Sequence, residues 1–164
     1  MAKALTTTLI TGASSGIGFK TTRLLLERGH TVIAGIRGGD ARLGQVFADF
    51  SPEQRSRLFA VDLHMEQPST FERAVKLVNE RFDGRLDCLI NNAGYGLLGT
   101  LEDQGPEQLR NQLDVNFIGP VQLTQELLPA LKKTRGKVIN VTSVMGFISF
   151  PYYGAYCASK YALE

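Results

Sequence analysis

The ten residues Leu9-Ile10-Thr11-Gly12-Ala13-Ser14-Ser15-Gly16-Ile17-Gly18 decide how the rest of the chain is read. A β-rich run, Thr7 to Thr11, enters them, and a helical pattern over 16–28 leaves them. Gly12 permits a tight turn. Gly16 lets the backbone approach a pyrophosphate with no Cβ in the way, and Gly18 permits close packing of helix on strand. The exposed amides of Ser14, Ser15, Gly16 and Ile17 then face an anion at the helix start, where the helix dipole adds to their attraction. Three glycines also occur in turns that bind nothing. The position of these, between a first strand and an amphipathic helix at the carboxyl edge of a parallel sheet, favours a dinucleotide.

Outward from that turn, further nearly continuous apolar runs occur at Thr31 to Ile36, 58–61, 86–90 and 137–142. Unbroken apolar runs of this length mark strands covered on both faces. Helical stretches separate them at 68–81, at 106–132 and from about Tyr153 onward. Proline begins a helix at Ser51-Pro52 and at Gln67-Pro68, and Gly29, Gly84 and Gly136 stand just past helical patterns as left-handed caps. Pro129 is expected to kink or end the long helix. The alternation predicts one α/β domain over 1–164, a doubly wound parallel sheet of the Rossmann type.

Composition bounds the partners. The 164 residues are 43% hydrophobic and 21% charged, with a net charge of +2 and no block of like charge, so neither disorder nor a nucleic-acid arm is indicated. No apolar run approaches the roughly 18 residues of a membrane span, and the first eight residues lack a signal-peptide core. Cys88 and Cys157 form no C-x-x-C pair, and neither His30 nor His64 sits in a metal-like cluster. A cytoplasmic protein without a metal is expected.

The second strand ends in Gly35-Ile36-Arg37. Where an NAD-binding protein places an acid against the ribose 2′-hydroxyl, this chain has Ile36, and the Arg37 guanidinium that follows suits a 2′-phosphate. NADP is therefore expected over NAD, the alternative being a merely solvated arginine. Asp62-Leu63 closes the third strand and Asn91-Asn92-Ala93-Gly94 the fourth. Their carboxylate and amides either hold the adenine edge or tie loops to the sheet.

Tyr156-Cys157-Ala158-Ser159-Lys160 puts a phenol and an ammonium at i and i+4, on one helix face. A free phenol titrates near 10, and a neighbouring cation favours phenolate, which makes a tyrosine so placed a usable proton carrier. Ser143, at the end of the fifth strand, can bond the same substrate oxygen or simply cap the strand, and Thr142 is a neighbouring candidate for either task. Asn116 lies mid-helix, where asparagine is a mediocre helix former and a buried amide needs partners.

With the glycine turn, Asn91-Asn92-Ala93-Gly94, Asn116, Ser143 and Tyr156-x-x-x-Lys160 in that order, the chain closely resembles the short-chain dehydrogenase/reductases. The resemblance runs from the first strand to Glu164. It implies that Tyr156 donates the proton in reduction, that Lys160 tunes it and holds the nicotinamide ribose, and that Ser143 positions the carbonyl or hydroxyl. It further implies that Asn116 supports a water-linked proton route. The glycine spacing and Arg37 match the single-domain, NADP-using branch, although Ser15 stands where many such relatives carry a second basic residue. Segments Gly94 to Gly99 and Tyr156 to Glu164 look most like the hydroxysteroid and retinol dehydrogenases, and the apolar residues 144–150 are expected to line a pocket for a lipophilic alcohol or ketone or else to pack a core or subunit interface.

Family members are homodimers or homotetramers and continue beyond the lysine with two more strands and a substrate-covering segment, so the carboxyl-terminal part of the fold is expected to be missing from these 164 residues. A dinucleotide-sensing protein without chemistry is the alternative function.

Overall fold

The computed structural model describes residues 5–164. Five parallel strands, β1 (Thr7–Thr11), β2 (Thr31–Ile36), β3 (Leu58–Asp62), β4 (Cys88–Asn91) and β5 (Lys137–Asn140), form one sheet in the order β3-β2-β1-β4-β5. The doubly wound architecture expected from the alternating pattern is the one observed. Strand order reverses at β1, between β2 and β4, which opens a crevice beyond the carboxyl ends of β1 and β4.

Both faces of the central strands are covered, which is why their sequences are apolar throughout. Leu9, Ile33 and Leu89 pack on one face with Phe71, Val78, Leu123 and Leu127, from helices α4 (Phe71–Arg81) and α6 (Gly119–Thr134). Ile10, Val32 and Ala34 pack on the other with Leu26, Phe47 and Phe50. That layer rests on α1 (Gly16–Glu27) and the short α2 (Asp40–Val46), a helix the sequence pattern did not announce. Helix α3 (Pro52–Ser56) starts at the anticipated proline, with Ser51 and Gln54 forming a reciprocal capping box.

Three expectations need correction. The long helix does not end at Pro129, which lies within α6. Its interruption comes earlier, where α5 (Pro106–Leu113) passes into a single π-helical turn, Asp114–Ile118, before α6. Gly29 and Gly84 adopt positive φ as expected, but after α6 it is Arg135 that turns left-handed. Gly136 is required for another reason, since a Cβ there would lie 2.7 Å from the Leu86 carbonyl oxygen. Finally, among the described residues β5 pairs with β4 alone, and its Val138 and Ile139 are 41% and 47% exposed instead of covered. The last helix is α7 (Gly154–Leu163).

Candidate active site

The crevice is a cavity of about 860 Å³. The turn after β1 supplies one wall through Gly12, Ser14, Ser15, Gly16 and Ile17; Arg37 stands at the end of β2; Asn92, Ala93 and Gly94 follow β4; and Tyr156 and Lys160 look in from α7. Residues separated by almost the whole chain thus share one space because parallel strands deliver all their carboxyl ends to the same edge.

The glycine turn is built as its spacing implies. Gly12 has φ +67° and lies so close to the chain after β4 that a Cβ would come within 2.9 Å of Ala93 Cα. Gly18 is hemmed in, its would-be Cβ 2.4 Å from the Gly12 carbonyl oxygen. Gly16, at φ +54°, faces open space. Ser15 caps α1 without a side-chain hydrogen bond to it, so amides of the first helical turn remain available to an anion. The Arg37 guanidinium forms no ion pair among the described residues. These features fit a dinucleotide phosphate: a cradle free of Cβ atoms, open helix amides and an unpaired cation.

The two asparagines and Asp62 tie loops. Asn92 Nδ2 donates to the carbonyls of Thr11 (2.8 Å) and Gly12 (3.3 Å), and Asn91 Nδ2 donates to Asn140 Oδ1 and Thr124 Oγ1. Asp62 stands behind the wall, accepting from the Gly38 amide at 2.7 Å, from His64 Nε2 at 3.1 Å and from Arg73. The Gly38 amide, followed by His64 and Arg73, holds the Asp62 carboxyl below the usual carboxylate range. Leu63 lines the cavity, but its amide is already spent on the Ile36 carbonyl.

Around Tyr156 the arrangement is tight. Lys160 is 4% exposed, its Nζ 5.9 Å from the Tyr156 ring centroid and 2.9 Å from the Val141 carbonyl oxygen to which it donates. It has no carboxylate partner among the described residues, and burial pulls its ammonium below the ordinary lysine range. Asn116, fully buried in the π turn, is a clamp: both amide hydrogens are used, on the Tyr95 carbonyl and Ser159 Oγ (each 2.9 Å), while Oδ1 accepts from the Tyr95 amide.

Ser143 lies beside the wall and not on it. Its Oγ accepts from the Met145 amide at 3.2 Å and caps the following turn, while Thr142 lines the cavity. The apolar segment after it also departs from expectation. Val144, Phe147, Ile148 and Phe150 are exposed, Phe147 at 67%, and none lines the cavity.

Several lining residues were not among the expected site residues. His64, Met65 and Glu66 extend the wall after β3, and Tyr95, Gly96, Asn111 and Val115 complete it. For His64 to Glu66 and for Tyr95 and Gly96 the hint was their place directly after marked strand-end segments, whereas Asn111 in α5 and Val115 in the π turn had none.

A parallel sheet with a glycine turn at its switch point defines a Rossmann-type α/β protein. More narrowly, the chain belongs to the short chain dehydrogenase family, which it matches over residues 6–164. Among curated relatives it is 39% identical over 157 residues to 3-ketodihydrosphingosine reductase of Bacteroides thetaiotaomicron and 40% identical to the uncharacterized oxidoreductase YbbO of Escherichia coli. Each alignment takes in 95% of this chain but 54% and 55% of the relative, so the chain spans about half the length of the curated relatives it matches. Among solved structures, an alcohol dehydrogenase of Thermococcus sibiricus, complexed with 5-hydroxy-NADP, superposes with a TM-score of 0.89 at 31% identity, covering 98% of this chain and 67% of that one.

Proposed function

We propose that the chain supplies the cofactor site and proton-transfer group of an NADP(H)-dependent oxidoreductase that interconverts an alcohol and a ketone or aldehyde. The observation carrying this reading is that Tyr156 and Lys160 share one cavity wall system with the glycine turn and the unpaired Arg37. Ser14, Ser15, Gly16 and Ile17 would hold the pyrophosphate, Arg37 the 2′-phosphate, the Asn92-Ala93-Gly94 backbone the middle of the dinucleotide, and Lys160 its nicotinamide ribose. When bound, the nicotinamide provides hydride chemistry.

The protein's own part is proton supply and positioning. The Tyr156 hydroxyl gives its proton to the carbonyl oxygen in reduction and takes it back in oxidation, with the Lys160 Nζ standing 5.9 Å from the Tyr156 ring centroid. Ser143, adjoining the lining residue Thr142, keeps its O–H unused and by the family resemblance would donate it to the same oxygen, and Asn116 holds the Tyr95 backbone and α7 together. Turnover of NADPH with a panel of ketones tests this function; NADPH binding without turnover of any carbonyl compound would point to a sensing protein instead.

NADPH should bind about tenfold or more tightly than NADH, because a charge-assisted bond between Arg37 and a phosphate is worth roughly 1.5–3 kcal/mol, while the Ile36 side chain offers a ribose no polar group. Fluorescence titration of the protein and of Arg37→Ala checks it. The variant should narrow the gap, and equal affinities in the parent would refute the preference.

We place the substrate among lipophilic alcohols and carbonyls, close to the hydroxysteroid and retinol dehydrogenase group. Support comes from the relative named for reducing 3-ketodihydrosphingosine and from the exposed apolar side chains of Val144, Phe147, Ile148 and Phe150, which form an apolar surface outside the cavity wall. The cytoplasm suits the two free thiols, Cys88 and Cys157. A homodimer or homotetramer built on the helices carrying Asn116 and Tyr156 would cover Ile118, Val121 and Leu128, which are exposed along the first of them. Light scattering of the full-length protein should return at least twice the monomer mass; a monomer would contradict it.

A further inference from the structure

We infer that Tyr95 and Asn111 form a polar anchor for a hydroxyl group carried by the substrate in addition to its reacting carbonyl. This rests on the proposed oxidoreductase reading and narrows its substrate class to hydroxylated ketones or aldehydes.

The pair lies on the wall of the cavity that Tyr156 also lines, and Asn111 Nδ2 donates to the Tyr95 phenol oxygen at 2.7 Å. The segment between them and Tyr156 is close: a Cβ on Gly96 would stand 3.7 Å from the Tyr156 ring. The phenol is joined to Asn111, and the backbone that carries it is held. Asn116 bonds both the amide and the carbonyl of Tyr95, and the fully buried Gln112 bonds the Tyr95 carbonyl at 2.7 Å and the Leu97 amide at 2.6 Å. Two buried amides therefore fix a short stretch of loop whose side chain is partly exposed at the cavity wall. Fixing a contact group before binding removes the ordering cost that binding would otherwise carry.

The chemistry of the pair selects its ligand. One hydrogen bond joins phenol and amide, and whichever amide atom is turned to the phenol, the pair keeps at least one donor and one acceptor unused. A hydroxyl matches both at once. A carboxylate leaves the acceptor facing negative charge, and an ammonium leaves the donor unmet.

The test is equilibrium binding to the full-length protein loaded with NADP⁺, measured by calorimetry. The ligands are eight-carbon methyl ketones, one unsubstituted and the others with a single hydroxyl at each successive chain position. At one or more positions the hydroxyl should tighten binding about tenfold, and both Tyr95→Phe and Asn111→Leu should bring that ratio close to one. Both residues are exposed, so neither substitution threatens the fold. A ratio near one at every position in the parent, or a preference surviving either substitution, overturns the anchor. Because the readout is binding, it stays separate from the catalytic reading, which fails if no ketone is turned over with NADPH.

Discussion

Tyr156→Phe should lower turnover of the full-length protein by roughly 100-fold to 10,000-fold, the range that a positioned general acid contributes. The substitution keeps the ring, its packing and its place near Lys160, and removes only the hydroxyl. Hydride transfer to a carbonyl would then leave an alkoxide with no proton donor. NADPH affinity should change little, because the glycine turn, Arg37 and Lys160 are untouched. Steady-state rates and cofactor titration on the same preparation separate the outcomes. A residual rate within about threefold of the parent would reject the proton-carrier role, and collapse of NADPH binding together with turnover would indicate a structural lesion.

Replacing Lys160 with methionine should cost about 100-fold or more in turnover and yet leave the fold at least as stable at neutral pH. Lys160 is buried with no carboxylate partner among the described residues, its only hydrogen bond going to the Val141 carbonyl. Val141 lines the cavity, so water can replace the lost donor. The pH dependence has a definite sign. The folded-state value of Lys160 lies below its unfolded one, so the unfolded chain binds more protons between the two. The penalty is therefore fully present below the folded value and fades as pH rises through it toward the unfolded value. Urea midpoints of parent and Lys160→Met should draw together as pH is raised through the alkaline range. A variant that is markedly less stable at pH 7 would show that the lysine supports the fold.

Much of this was legible in the sequence because it is local. The glycine spacing sets its own turn, and the continuous apolar runs follow from a sheet covered on both faces, so β1, α1 and β2 match expectation at nearly every residue. What escaped depends on where distant segments meet. A caps-only role for Gly136 missed the approach of the Leu86 carbonyl, and nothing local distinguishes a proline tolerated within α6 from one that ends it. Ser143 reads as a strand-end hydroxyl, but only the chain's path decides that it caps the next turn. The Tyr95 anchor was hidden for the same reason: Asn111, Gln112 and Asn116 look like ordinary polar residues of a helix until the loop that they grip is in place.

The π turn at Asp114–Ile118 has a consequence for how this protein can be altered. By α-helical spacing, Gln112 and Asn116 would share one stripe with Leu123 and Leu127. The wider turn instead swings the amide pair off the axis of the apolar core, toward the loop after β4. Each residue of an α-helix advances about 100°, so deleting one residue here would rotate the whole of α5 by about that angle relative to α6. The turn works as a phase shifter inserted between two cylinders, one serving the cavity and the other the sheet. Substitutions along α5 can thus retune the cavity wall while α6 keeps its seat, provided that the residue count between Leu113 and Gly119 is left alone.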